Sequence, residues 1–259
     1  MTAGAASSPG RARVLVVSPT YCEAENVEKF LTRVCTALPD ADVLVVDDAS
    51  PDGTAELAEE CGRRLGRVSV LRRGAKEGLG AAYRAGFTYG LARGFEILVE
   101  MDADLSHDPA MLPALVAAIE GGADLAIGSR YVNGGSTPNW PFVRRVISRV
   151  GCRYAALALH IPVRDATSGF RAFRAEALRS AGYEHTMANG YGFQIELAYR
   201  LVQLGARVVE VPIVFTDRVR GVSKMSLRIA VEAMLLVTRW GVSDLVHGRR
   251  WRRGPAPDR

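Results

Sequence analysis

The sequence predicts an α/β fold: a mostly parallel, Rossmann-like central sheet with helices on both faces and an amphipathic helix near the C-terminal end. Three observations lead there. Short apolar runs rich in Val, Leu and Ile recur along the first half of the chain, as strands buried on both faces require. Amphipathic stretches of helical length separate them, which makes β–α–β units. The apolar runs end in acidic segments, and in open sheets ligands bind beyond the carboxyl ends of the strands.

Val14–Val17 reads as the first strand and Glu25–Ala37 as a helix with Val27, Phe30, Leu31 and Val34 on one face. Val43–Val46 is the second strand, and the turn Ser50-Pro51-Asp52-Gly53 leads into a helix over Thr54–Leu65. Val68–Leu71 follows as a strand, then the glycine-rich bend Gly74–Gly80 and a helix to Leu91. Ile97–Val99 is the fourth strand, Pro109–Ile119 a helix with Asp108-Pro109 as cap and first turn, and Leu125–Ile127 the fifth strand. After Gly128 the alternation weakens: helices are expected at Val143–Leu159, Arg174–Ala181 and Phe193–Leu204, with a last strand pair near Val208–Phe215. The expected organisation is a loose tail over 1–12, one α/β domain over 13–225, an amphipathic helix over 226–247 and a basic tail over 248–259.

Composition narrows the class. The net charge of +5 favours an anionic partner without choosing among nucleotide, nucleic acid and membrane surface. Cys22, Cys35, Cys61 and Cys152 form no Cys-x-x-Cys pair, so disulfide staples and a zinc site are not expected and a reducing cytoplasm fits. The opening residues contain no apolar signal region, and no uncharged run approaches the ~18–20 residues that span a bilayer.

The chemistry concentrates at the strand ends. Alternate residues of an extended segment point the same way, so Asp102 and Asp104 can converge on one hard cation that keeps its other positions for water and phosphate oxygens. Strand-end aspartates also cap turns, but Asp108 already fills that role for the next helix and leaves Asp102 and Asp104 without a structural task. Two phosphate signatures are missing. There is no Gly-x-x-x-x-Gly-Lys-Ser/Thr loop, and Gly78-Leu79-Gly80 has Tyr83 in the third glycine position and follows the third strand. A P-loop kinase and a dinucleotide dehydrogenase are thereby disfavoured. A nucleotidyltransferase would want a glycine-rich basic loop after the first strand, which Pro19–Glu23 lacks.

Pro19-Thr20-Tyr21-Cys22-Glu23, Asp47-Asp48-Ala49-Ser50-Pro51-Asp52-Gly53-Thr54 and Asp102-Ala103-Asp104-Leu105-Ser106-His107 together resemble the inverting family-2 glycosyltransferases. More narrowly they look like the dolichol- and polyprenol-phosphate mannosyltransferases, and the resemblance runs from Val14 to Lys224. Its later motifs are Gly128-Ser129-Arg130-Tyr131, Asp165–Arg171, Gly192–Glu196 and Phe215–Lys224. Of these, Asp217-Arg218 ahead of Ser223-Lys224 is the most specific to the polyprenol-phosphate branch.

The resemblance implies a GT-A-type fold, Mg²⁺ or Mn²⁺ as cofactor, GDP-mannose as donor and a polyprenyl or dolichyl phosphate as acceptor. It implies that Pro19, Tyr21 and Glu23 lie along the nucleoside, with Val46 and Asp48 beside base and ribose. Asp102 and Asp104 would bind the metal, with Ala103 and Ser106 nearby, and Arg130, Arg218 and Lys224 would reach the phosphates. Three roles are open to Asp165: orienting Arg171, orienting the acceptor, or capping a turn. Relatives often carry Asn where this chain has Cys22 and Gly where it has Ala49, and Ser106 stands where Gln is sometimes found. A UDP-glucose-dependent polyprenyl-phosphate glucosyltransferase is the nearest alternative. A non-catalytic nucleotide-sugar sensor on a membrane surface would be expected to lose charged site residues, and all are retained.

A lipid monophosphate arrives ionised, with a second pKa near ~6, so its oxygen can attack the sugar carbon without a general base. Such an acceptor lives in a bilayer. Leu227, Val231, Met234, Leu235 and Trp240 supply an expected apolar face, followed by Arg249-Arg250-Trp251-Arg252-Arg253. The same helix could instead pack on the domain. The implied location is peripheral, on the cytoplasmic face of the membrane, unassisted or with a partner membrane protein, and no nucleic-acid partner is expected.

Overall fold

The computed structural model describes residues 12–188, 190–217 and 227–247, with side chains over 232–246 in the last segment. Seven strands form one sheet in the order β3-β2-β1-β4-β6-β5-β7. They are β1 (Val14–Thr20), β2 (Asp42–Asp47), β3 (Val68–Arg72), β4 (Ile97–Glu100), β5 (Leu125–Ser129), β6 (Arg171–Arg174) and β7 (Val208–Pro212). The helices are α1 (Val27–Ala37), α2 (Thr54–Leu65), α3 (Leu79–Ala92), α4 (Leu112–Glu120), α5 (Phe142–Leu159), α6 (Ala175–Ser180), α7 (Tyr191–Gln203) and α8 (Leu227–His247).

Alternation along the strands divides the core. Val14 and Val16 join Val43, Val45, Ile97 and Val99 beneath α1, α2 and α4. Leu15 and Val17 join Leu44, Val46 and Leu98 beneath α3 and the C-terminal helices. Both faces are covered, which is why these strands read as unbroken apolar runs. On α3, a Cβ added to Gly90 would sit 2.7 Å from Leu15 Cδ2, and one at Gly86 would clash with Val17. The two glycines let α3 lie close on β1.

Two expectations change. In place of a strand pair near Val208–Phe215 there is one strand, β7, parallel to β5, which stops at Pro212 because proline has no N–H for the ladder. A bridge between Ser136 and Val214 continues the line without a second strand. The other change is β6, a four-residue strand that runs antiparallel to both β4 and β5. Its amino end therefore meets their carboxyl ends, with Arg171 opposite Glu100 and Ile127. That reversal delivers the loop Asp165–Phe170 to the functional rim.

Helix α8 packs on α5 and α7. Ala233 and Val237 are buried, the Trp240 ring stacks on Tyr199, and Tyr154 and Thr238 hydroxyls meet at 2.6 Å. Of the two arrangements the sequence left open, Trp240 takes the packed one and faces the domain, where Tyr199 offers it a flat partner. Met234 and Leu235 do point outward. The side chains of Leu227 and Val231, and Arg249–Arg253, lie outside the described residues.

Candidate active site

Strands β2, β1 and β4 are neighbours, so their carboxyl ends form one rim. The loops after β1 and β2 are laced together. Cys22 N donates to Ser50 Oγ, Glu23 N to Thr54 Oγ1 and Ala24 N to Asp52 Oδ2. Asp47 accepts from Thr20 Oγ1, Ser50 N and Ser50 Oγ, so of the Asp47-Asp48 pair Asp47 shapes the loop. Asp48 is paired instead with Arg73 at 2.6 Å. Burial pushes the Asp48 carboxyl up, and Arg73 opposes it. Arg73 also pairs with Glu77, and Lys76 places its ammonium 3.8 Å from the centre of the Tyr21 ring. The glycine-rich bend therefore reaches the rim and brings two cations with it.

Pro19, one residue before the end of β1, is in register with Val46, and Glu23 starts the turn into α1 by accepting from Asn26 and Val27. Cys22, Ala49 and Leu105 take φ values of +57°, +56° and +60° in the three rim loops. That left-handed region is uncommon for residues with a Cβ and such residues gather at functional sites. Asn and Gly enter this region most easily, so Cys22 and Ala49 hold it at a cost.

Asp102 and Asp104 leave the end of β4 as the sequence indicates. Asp104 is buried and accepts from Ser106 N at 3.0 Å. Asp102 Oδ1 accepts from the buried Tyr83 hydroxyl at 3.2 Å. Burial, then the charges of Asp102 and Glu100, hold the Tyr83 phenol well above its usual range, so it keeps its proton and donates. Ala103 and Ser106 are buried between these groups. Beneath them burial pushes Glu100 up to about 8, against the opposing charge of Arg171 and the amide of Gln194. His107, also buried, is lowered to about 4 by desolvation and packs against Phe170 and Phe215 at 5.1 Å each.

Across the rim, Arg130 extends from the end of β5. Its Nε and Nη2 donate to Asp165 at 2.7 and 2.6 Å, and Nη2 also reaches Thr167 Oγ1 at 2.8 Å. Both members are buried, at 5% and 0% exposure. Burial alone would raise the Asp165 carboxyl; the Arg130 charge and hydrogen bonds outweigh it and hold it low. Asp165 thus orients Arg130 rather than Arg171. Arg171 is fully buried and donates to the carbonyls of Ser168, Gln194 and Ala166, which sets the shape of the 165–170 loop. The guanidinium of Arg130 lies within 5.2–5.6 Å of the ring centres of Tyr131, Trp140 and Phe215. Asp217 is tied to Arg144 of α5 at 2.7 Å; Arg218 and Lys224 lie outside the described residues.

Two carboxylates suit a hard cation. Among the described residues no group of three or more His, Cys, Asp or Glu could hold a metal unaided. Asp102 and Asp104 fit a divalent ion whose remaining ligands are water and a diphosphate. Lys76, Arg73, Tyr83 and Thr167 were not foreseen from the sequence. Tyr83 was visible as the residue that spoils a glycine motif, and Thr167 sits two residues from Asp165.

Paired aspartates after β4 and a buried arginine after β5, on a GT-A-like sheet, are the frame of a glycosyltransferase, and the chain belongs to glycosyl transferase family 2, whose model matches residues 15–182. It is 49% identical over 242 residues to the undecaprenyl-phosphate mannosyltransferase of Micrococcus luteus, covering 93% of this chain and 99% of that protein. It is 50% identical over 231 residues to the polyprenol monophosphomannose synthase of Mycolicibacterium smegmatis, covering 89% and 87%. Among solved structures, the Pyrobaculum calidifontis mannosyltransferase PcManGT, in complex with GDP-Man and Mn²⁺, aligns with a TM-score of 0.59 at 19% identity, covering 96% of this chain and 67% of that one. At that identity the likeness speaks for the fold.

Proposed function

We propose that this enzyme transfers mannose from GDP-mannose to a polyprenyl monophosphate, with inversion, at the membrane surface. The observation that carries the reading is the opposition, across one rim, of Asp102 and Asp104 at the end of β4 to the buried Arg130–Asp165 pair at the end of β5. The relatives named for undecaprenyl-phosphate and polyprenol mannosyl transfer, at about half identity over most of the chain, support the same substrates.

Pro19, Tyr21, Glu23 and Asp48 line the nucleoside end, with Lys76 and Arg73 beside them; Val46, expected there too, turns its side chain into the core under α3 and offers that end only its backbone. Asp102 and Asp104, with Ala103 and Ser106 alongside, hold Mg²⁺ or Mn²⁺, which when bound supplies positive charge to the departing diphosphate. Arg130, kept in one orientation by Asp165, serves the phosphates together with Arg218 and Lys224. A planar guanidinium held at two nitrogens presents its remaining edge without further loss of freedom. The lipid phosphate attacks the anomeric carbon directly, so the residues need to position two anions and share out their charge.

The membrane reading gains a second helix. α5 turns Phe142, Val143, Val146, Ile147, Val150 and Leu157 outward, with Phe142 75% exposed, while its core side is Cys152, Ala155 and Leu159. Arg149 and Arg153 flank that face. Met234, Leu235, Val242, Leu245 and Val246 of α8 are exposed too. Apolar side chains beside arginines suit an anionic lipid interface, and among the described residues no helix is long and apolar enough to cross a membrane.

The test is to offer GDP-mannose, UDP-glucose and related donors with a short polyprenyl phosphate and Mn²⁺, then identify the glycolipid. Polyprenyl-phosphate mannose from GDP-mannose is expected, and Asp104→Asn should abolish it with the fold intact. Glucose transfer from UDP-glucose, or wild-type turnover by Asp104→Asn, overturns the assignment of donor or metal site respectively.

A further inference from the structure

We propose that Tyr83 is a positioning residue for the metal ligand Asp102, its hydroxyl fixing the carboxylate so that the second oxygen faces the cation site. This rests on the reading of Asp102 as a ligand.

The hydroxyl donates to Asp102 Oδ1 at 3.2 Å from a side chain with no freedom of its own. The Tyr83 ring lies between Phe87 and Phe193, stacked with each at 6.0 Å between centres. It projects from α3, which Gly86 and Gly90 allow to sit directly on β1. On the other side, a Cβ at Gly169 would come 3.7 Å from Asp102 Oδ2 and 4.0 Å from Gln194 Nε2, so the 165–170 loop faces that oxygen and leaves room for a side-chain carbon between them. The carboxylate thus has a rigid donor on one oxygen and a glycine turn facing the other.

The two aspartates are held differently. Asp104 takes its orientation from the backbone N–H of Ser106, two residues along its own loop. Asp102 takes its from a separate helix. A phenol is well chosen for this, because it donates one hydrogen bond and carries no positive charge to compete with a cation. Partners of this kind behind a metal ligand typically set affinity by ~10–100-fold. The third position of the failed glycine motif, Gly78-Leu79-Gly80-x-x-Tyr83, thereby acquires a task.

Tyr83→Phe keeps the ring and its stacking and removes the donor. Mn²⁺ binding in the presence of GDP is measured by the electron paramagnetic resonance signal of free Mn²⁺, beside Asp102→Asn and wild type. The expected result is an Mn²⁺ Kd raised at least about tenfold in Tyr83→Phe. Transfer at saturating Mn²⁺ should recover to within threefold of wild type, and GDP affinity without metal should not change. A purely structural role would lower kcat at every Mn²⁺ concentration. Folding is checked by the thermal midpoint, expected within about 2–4 °C of wild type for one lost hydrogen bond. Unchanged Mn²⁺ affinity in Tyr83→Phe, while Asp102→Asn has lost Mn²⁺, overturns the positioning role. Unchanged Mn²⁺ affinity in Asp102→Asn overturns the ligand assignment and the inference with it.

Discussion

Asp165 grips Arg130 three times: it accepts from Nε at 2.7 Å, from Nη2 at 2.6 Å and from the Arg130 backbone N–H at 2.9 Å. The pair spans β5 and the loop ahead of β6, so it fixes both the guanidinium and the path of the loop. Glu210 of β7 reinforces it by accepting from Arg164 N and Asp165 N at 2.9 Å each.

Asp165→Asn keeps the shape and leaves Arg130 buried without its counter-charge, which should cost about 3–5 kcal/mol of stability. Transfer should fall at least tenfold as Arg130 loses its orientation, equivalent to about 1.4 kcal/mol. The pH dependence follows from the depressed carboxyl. An unfolded Asp takes its proton near pH ~3.9, and the folded Asp165 only at lower pH, so the pair's contribution is complete above that range and is lost as pH falls through it. Urea midpoints of variant and wild type should therefore differ most near neutrality and converge in acid. A gap that stays constant down to pH ~3 would show that the charge does not stabilise the fold.

Ala49 carries the strain of the second rim loop at φ +56°. A left-handed conformation costs a residue with a Cβ roughly 1–2 kcal/mol. Glycine relieves it, offset by ~0.4–1 kcal/mol of extra freedom in the unfolded chain. Ala49→Gly is expected to stabilise by about 0.5–1 kcal/mol in urea unfolding, whereas the control Ala118→Gly, inside α4, should destabilise by a similar amount. Destabilisation by both would mean that the loop is not held in this conformation.

The outward residues of α5 predict a lipid dependence. Burying Ile147 or Val150 on a membrane is worth ~1.5–3 kcal/mol each. Ile147→Glu/Val150→Glu should lower binding to vesicles containing phosphatidylglycerol at least about tenfold, read by flotation. Transfer to a short acceptor in detergent should stay within twofold. Full vesicle binding by the double variant would leave α8 and the segments around it as the lipid contact.

How far the sequence reached depends on which rule each element obeys. Strands β1, β2 and β4 were legible because both faces are covered and apolar residues run without interruption. Asp102-Ala103-Asp104 was legible because Asp108 caps the next helix, although Asp104 does hold its own turn by accepting from Ser106 N, a task the sequence did not show. β6 was not, since its four residues include Arg171 and Arg174, and a buried strand with arginine breaks the apolar rule. Missing β6 hid how Asp165 comes to face Arg130, 35 positions away in the chain. α5 was recognisable as a helix, but its sequence did not say which side faces inward. Here the smaller Cys152 and Ala155 pack on the core while Phe142, Val143 and Ile147 point out. For Trp240 the sequence left both sides open, because Tyr199, its stacking partner, comes from a different helix.

The chemistry of the acceptor makes the last prediction. A monophosphate oxygen displacing the diphosphate in one step inverts the sugar carbon, so α-linked GDP-mannose should give a β-linked mannosyl phosphate, and no sugar should become attached to the protein. The rate should rise as the acceptor's second ionisation completes near pH ~6 and then flatten. The site itself contributes little there. His107, with burial lowering it to about 4, is neutral across that range. Glu100, with burial pushing it to about 8, titrates above it. The two origins separate by substitution. Glu100→Gln should remove any inflection near 8 and leave the lower one in place, while a phosphonate acceptor with a higher second pKa should move the lower one upward. NMR of the purified product reports the anomeric configuration, and mass spectrometry of quenched enzyme reports any covalent sugar. An α-linked product, a trapped glycosyl-enzyme, or a lower inflection that ignores the acceptor's pKa would each replace direct displacement with a mechanism in which a residue of the protein acts as nucleophile or base.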